Sequence, residues 1–266
     1  MTPNVIAIPE QEYARPDGFP LRYDFFRPNS QDELPVVIFV HGGGWISGDR
    51  QMYRDEAIWL ANVGYACALF DYRLAPLSPF PAAVQDAQSF VRFIRNHSSE
   101  LGVVPDKVIA FGNSAGGHLA AMLGLFHETF GAPNDPKEHL VNGVIALSAI
   151  TDIRKPSESQ FDISLSFVEQ FMGGPLKGRE DLYASASPVA HVNDDACPFL
   201  IVHGSEDDIV PPSQSSNLHA ALLLAGGESR LIQLEGEEHS YSPTGWQAIR
   251  DAYLAFLGST VGAPPK

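Results

Sequence analysis

The chain has 266 residues, 44% hydrophobic and 18% charged, with 17 basic against 32 acidic side chains and a formal charge of -15. That length allows one large α/β domain or two small ones, and the apolar share is ample for a continuous core. So acidic a surface repels phosphate backbones and excludes nucleic acid as the expected partner, and no run nears the roughly 18 apolar residues of a membrane span.

The opening MTPNVIAIPEQEY has neither a basic start nor a long apolar stretch, so no secretory leader is expected and the reading is cytoplasmic. Extended segments follow at VIAIP, LRYDFFRP and PVVIFV, the last a β-branched run suited to a strand buried on both faces. A helix is expected around Arg50 to Val63, then a buried strand in YACALFDY. In PAAVQDAQSFVRFIRNH, residues Ala83, Phe90, Phe93 and Ile94 fall near helical spacing. Strand KVIAFG leads into helix SAGGHLAAMLGLF, and strands NGVIALSAI and CPFLIVHG come next. Helix SQSSNLHAALLLAGG, strand SRLIQLEG and helix TGWQAIRDAYLAFL close the chain.

This alternation predicts an α/β fold whose central sheet is mostly parallel, with helices on both faces. Residues 151–190 break the pattern, being rich in Ser, Gly and Pro around a short amphipathic piece, SLSFVEQFM. An insertion there would overhang the crevice at the carboxyl ends of the strands as a small lid, or run over the surface without a role. Cys67 and Cys197 flank apolar runs and read as buried free thiols, although one bridge between them is allowed.

Gly112-Asn113-Ser114-Ala115-Gly116 has the form G-x-S-x-G between an expected strand and an expected helix. A serine on so tight a turn is lifted clear of the sheet, and the helix N-terminus puts partial positive charge where an oxyanion would form. Upstream, His41-Gly42-Gly43-Gly44-Trp45 follows the strand PVVIFV. Glycines there point to backbone N–H groups aimed at a ligand, and the expected donors are the amides of Gly43, Gly44 and Ala115. A phosphate cradle would need a G-K-[ST] ending, which is absent.

A serine hydroxyl needs a neighbouring imidazole to take its proton. Of nine histidines, His239 follows strand SRLIQLEG and precedes the last helix, so it hangs from a strand end. His118 reads as packed beneath the serine, His219 as surface, His203 as too early in the chain, and His97, His127, His139 and His191 as helix-end or loop residues. The acid comes from HGSEDDIVP, where Glu206, Asp207 and Asp208 are equal candidates by local chemistry.

With HGGGW at 41–45, DYRLAP at 71–76, GNSAGG at 112–117, HGSEDDIVP at 203–211 and GEEHSY at 236–241, the chain resembles α/β-hydrolase fold esterases of the hormone-sensitive-lipase and acetyl/feruloyl-esterase groups. The resemblance implies a serine carboxylesterase with a Ser114, Asp207, His239 triad, since the family pattern H-G-x-x-D-x-x-V-P puts the acid on Asp207. Only 40 residues precede His41, fewer than in the larger lipase-like members, so the compact esterases of acetylated sugars and hydroxycinnamoyl esters are the better likeness. Short acyl groups are expected on the same ground. Residue 113 is Asn where many relatives differ, and Asp71, Tyr72 and Arg73 look like a structural turn.

The expected partner is a small-molecule ester, with Trp45 and Asp152 as candidates to line its pocket or simply to pack or face solvent. No metal or organic cofactor is implied, for want of H-E-x-x-H, a Cys/His cluster or a dinucleotide fingerprint. The rival readings are an arylformamidase-type amide hydrolase on the same scaffold and a binding protein that has lost catalysis.

Overall fold

The computed structural model describes residues 5–128, 140–155 and 162–264. His139 and residues 156–161 of the expected insertion lie outside the described residues. Among the described residues eight strands form the sheet: β1 (Val5–Ala14), β2 (Leu21–Pro28), β3 (Leu34–Val40), β4 (Ala66–Phe70), β5 (Val103–Asn113), β6 (Gly143–Leu147), β7 (Phe199–Gly204) and β8 (Ser229–Leu234). Their spatial order is β1-β2-β4-β3-β5-β6-β7-β8. β1–β2 and β2–β4 pair antiparallel, and every later neighbour is parallel. The helices are α1 (Arg54–Val63), α2 (Ala82–Asn96), α3 (Ser98–Leu101), α4 (Ala115–Leu125), α5 (Asp162–Phe171), α6 (Glu180–Ser185), α7 (Ser213–Leu224) and α8 (Pro243–Thr260).

The period-two pleat divides each central strand between two cores. In β3, Val36, Ile38 and Val40 pack with Ala83, Phe90 and Ile94 of α2 and with the apolar residues of α4. Val37 and Phe39 face the other way, toward Ala57, Leu60 and Ala61 of α1 and Ile249, Tyr253 and Leu257 of α8. That is why PVVIFV is apolar throughout: neither face meets water. α5 joins the α2–α4 side through Val168 and Phe171.

β1 is longer than the expected VIAIP. Its polar continuation pairs with β2 as far as Ala14↔Leu21, with two register irregularities, and an edge strand can leave such residues exposed. β4 ends at Phe70 because Asp71, Tyr72 and Arg73 turn outward to distant partners. Asp71 accepts from Arg50, the Tyr72 hydroxyl donates to the His41 carbonyl at 2.9 Å, and the Arg73 guanidinium binds Asp86. Cys67 is buried, Cys197 is half-buried, and both are free. Among the described residues no helix is long and apolar enough to cross a membrane.

Candidate active site

β3, β5, β7 and β8 run parallel, so their carboxyl ends reach one edge of the sheet and deliver their loops together. β5 delivers Ser114, whose backbone sits at φ 57° and ψ -123° immediately before α4. Two glycines make this turn possible. A Cβ at residue 112 would lie 2.2 Å from the Gly116 carbonyl oxygen, and one at residue 116 would lie 2.1 Å from that of Val40. The Ser114 N–H donates to the Leu147 carbonyl at 2.9 Å, which ties the turn to the end of β6. Only 8% of Ser114 is exposed.

β3 delivers the glycine loop. Gly43 and Gly44 hold φ of 106° and 61°, and Trp45, which has a Cβ, holds 60°. That conformation in a bulky residue is strained and needs surrounding structure to impose it. Trp45 is fully buried, with its indole stacked on Phe171 at a centroid distance of 4.3 Å. Its Nε1–H donates to His118 Nδ1 at 3.2 Å, and its carbonyl accepts from the Ala75 N–H at 2.9 Å. Because an indole N–H can only donate, His118 Nδ1 must be bare; Nε2 carries the proton and donates to the Ala186 carbonyl at 2.8 Å. Burial drives the His118 pKa down to about 4, so the ring stays neutral. Among the described residues the amides of Gly43, Gly44 and Ala115 have no hydrogen-bond acceptor, and the two glycines border the cavity that Ser114 lines.

β7 delivers Asp207. His239 Nδ1–H donates to both of its carboxylate oxygens, at 3.0 and 2.9 Å. The amides of Ile209 and Val210 donate to Oδ1 at 3.0 and 2.8 Å. On the other side His203 Nε2 lies 3.1 Å from Oδ2 and 3.0 Å from the Val210 carbonyl, so it must carry a proton to donate. His203 Nδ1 meets the Ser215 hydroxyl at 2.6 Å. Burial alone would raise the Asp207 pKa, but bonds from His203, His239 and the Val210 amide outweigh it and hold the carboxyl far below the usual range. Asp207 is therefore held as the carboxylate, and His239, tethered through Nδ1, is left with Nε2 as its free nitrogen.

Ser114 and His239 line one cavity of about 750 Å³. α5 contributes Ile163 and Phe167 to it, while α1 and α8 contribute Glu56, Trp246 and Arg250 from the opposite core side. The arrangement can take a proton from a hydroxyl, bear the resulting positive charge beside a carboxylate, and offer N–H groups to a nascent oxyanion.

The weaker sequence candidates lie elsewhere. Trp45 packs beneath the glycine loop and does not border the cavity, because its indole is fully engaged by Phe171 and His118. Asp152 is also outside the lining, with its carboxylate bound by Arg154 at 2.7 Å. His41 is buried, stacks on Tyr72 at 4.1 Å and donates from Nδ1 to the Gly42 carbonyl. Two supporting roles escaped the sequence reading. His203 braces Asp207, and Tyr241 braces the His239 loop by donating to the Val202 carbonyl at 3.2 Å and accepting from Ser148 Oγ at 2.8 Å. The H-G-x-x-D spacing was a usable signal for His203; nothing local marks Tyr241.

The profile of the BD-FAE family matches residues 23–222. Esterase LipQ of Mycobacterium tuberculosis is 28% identical over 242 residues, covering 86% of this chain and 56% of its own length. The isoprenylcysteine alpha-carbonyl methylesterase ICME of Arabidopsis thaliana is 28% identical over 82% of this chain and 53% of its own. The chain thus spans about half the length of the curated relatives it matches. Among solved structures, the native esterase Est2 of Thermogutta terrifontis is 26% identical, covers 99% of this chain and 95% of its own, and superposes with a TM-score of 0.81. Its propionate-bound form is 27% identical, with coverages of 99% and 97% and a TM-score of 0.82.

Proposed function

The chain belongs to the BD-FAE family of α/β-hydrolase fold proteins, and on that footing we propose that it is a serine carboxylesterase working through an acyl-enzyme on Ser114. One observation carries the reading: Ser114, the His239–Asp207 pair and the unpartnered glycine amides converge on a single cavity. His239 Nε2 takes the Ser114 proton as Oγ attacks the ester carbonyl. The amides of Gly43, Gly44 and Ala115 receive the oxyanion, each being worth on the order of 3 kcal/mol in the transition state. Asp207 keeps the imidazole oriented and stabilises its cation. His239 then protonates the departing alcohol, and water repeats the sequence on the acyl-enzyme.

Short acyl groups are the proposed substrates, with esters of acetylated-sugar or hydroxycinnamoyl type among the candidates. Propionate- and butyrate-bound forms of the Thermogutta terrifontis esterase support the short-chain part. We read the chain as one domain in which the described residues of the 151–190 insertion form a small lid, a reading supported by the reach of α5 into the cavity lining.

The test is hydrolysis of p-nitrophenyl acetate by the wild type and by Ser114→Ala, prepared identically. Wild-type turnover should fall by on the order of 10⁴-fold or more in the variant. Equal rates would remove Ser114 as nucleophile, and a wild type active on aryl formamides but not on esters would replace the esterase with an amidase.

A further inference from the structure

On the reading of Ser114 as nucleophile, we propose that Phe167 walls off the acyl side of the cavity and limits the acyl group to a short chain. The argument begins with direction. His239 must reach the leaving oxygen to protonate it, so the alcohol lies toward the His239 loop and the α8 residues that follow it, Trp246 and Arg250. The acyl chain departs from the same carbon away from that loop, toward the cavity wall built by α5.

Ile163 and Phe167 are four residues apart on α5 and therefore share a face, the one that borders the cavity. The turn of α5 that follows is anchored. Val168 and Phe171 are buried in the core, Phe171 stacks on Trp45, and the Phe171 carbonyl accepts from the Phe80 N–H at 2.7 Å. The helix is thus fastened to the residue that follows the glycine loop, and its aromatic ring sits on a fixed shelf.

The decisive contact is with the oxyanion backbone. A Cβ at residue 44 would lie 2.9 Å from Phe167 Cγ, 3.1 Å from Cδ2 and 3.2 Å from Cβ. The ring root therefore abuts the peptide whose N–H is aimed at the oxyanion. An acyl chain held by that N–H starts beside Phe167 and meets the ring after its first few carbons. The cavity as a whole is roomy, so the restriction is local and belongs to one side chain.

The experiment compares kcat/KM for p-nitrophenyl acetate, butyrate and octanoate in the wild type, Phe167→Ala and Phe167→Trp. A parallel series holds the acyl group as acetyl and varies the alcohol. In Phe167→Ala the octanoate-to-acetate ratio should rise at least tenfold, since each methylene admitted to an apolar pocket is worth up to roughly fourfold. Phe167→Trp should move the butyrate-to-acetate ratio the other way, and acetate turnover in the same preparations reports an intact fold. If Phe167→Ala fails to fold, Phe167→Leu is read by the same ratio. A ratio within twofold of wild type overturns the proposal, as does a change confined to the alcohol series. A wild type that hydrolyses no ester overturns the esterase reading and this proposal together; an active wild type with an unmoved ratio overturns this one alone.

Discussion

His118→Gln should make the fold less sensitive to acid. In the native state both ring nitrogens are committed in the neutral form: Nδ1 accepts from the Trp45 indole and Nε2 donates to the Ala186 carbonyl. A second proton would set one N–H against another in a site with no exposure to solvent. Burial, reinforced by nearby His191, lowers the pKa from 6.5 to about 4. Because the folded pKa lies below the unfolded one, stability is complete above 6.5 and is lost as pH falls toward 4, while the unfolded chain takes up the proton first. At pH 5 the unfolded state is favoured by a factor of about 30, or about 2 kcal/mol. Gln offers an acceptor to Trp45 and a donor to Ala186 but does not titrate. Urea unfolding at pH 7.5 and at pH 5 should therefore show wild type losing about 2 kcal/mol more than the variant across that interval. Burial also depresses the His41 and His191 pKa values, and that burial acts on both proteins alike. Equal losses in the two proteins would refute the argument.

Asp207→Asn should lower kcat by roughly 10³–10⁴-fold, because an amide neither orients the imidazole nor stabilises its cation; steady-state kinetics on p-nitrophenyl acetate would show it. His203→Leu strips Asp207 of one charge-assisted bond, worth about 1.5–3 kcal/mol, so kcat/KM should drop roughly 10–100-fold. His203→Gln, which keeps a donor near the same place, should recover most of it, and failure of that rescue would assign His203 to packing. Phe171→Ala removes a buried ring from against Trp45 and should cost about 3–5 kcal/mol in denaturant unfolding.

Much of the fold was legible because its signals are local. Apolar runs such as PVVIFV, helical spacing in residues 81–97 and strict alternation of the two are properties of short stretches. The glycines around Ser114 could be read for the same reason, since a tight turn leaves its mark within five residues. Local chemistry did not choose among Glu206, Asp207 and Asp208. The choice came from a family resemblance, and the contact that distinguishes Asp207 spans 32 residues to His239. Tyr241 and Phe167 were out of reach for the same reason, since each acts on a residue from another part of the chain, whereas His203 stands only four positions before Asp207 and left its signal in the H-G-x-x-D spacing. Trp45 is the sharpest case. Beside three glycines it could face a ligand or the core, and only the arrival of Phe171 and His118, 126 and 73 positions later, decided for the core. Sequence by itself determines which segments become strands, helices and turns, because those depend on neighbours a few bonds away. Which side chains meet at the strand ends is decided by packing across the sheet, and that exists only once the chain has closed on itself.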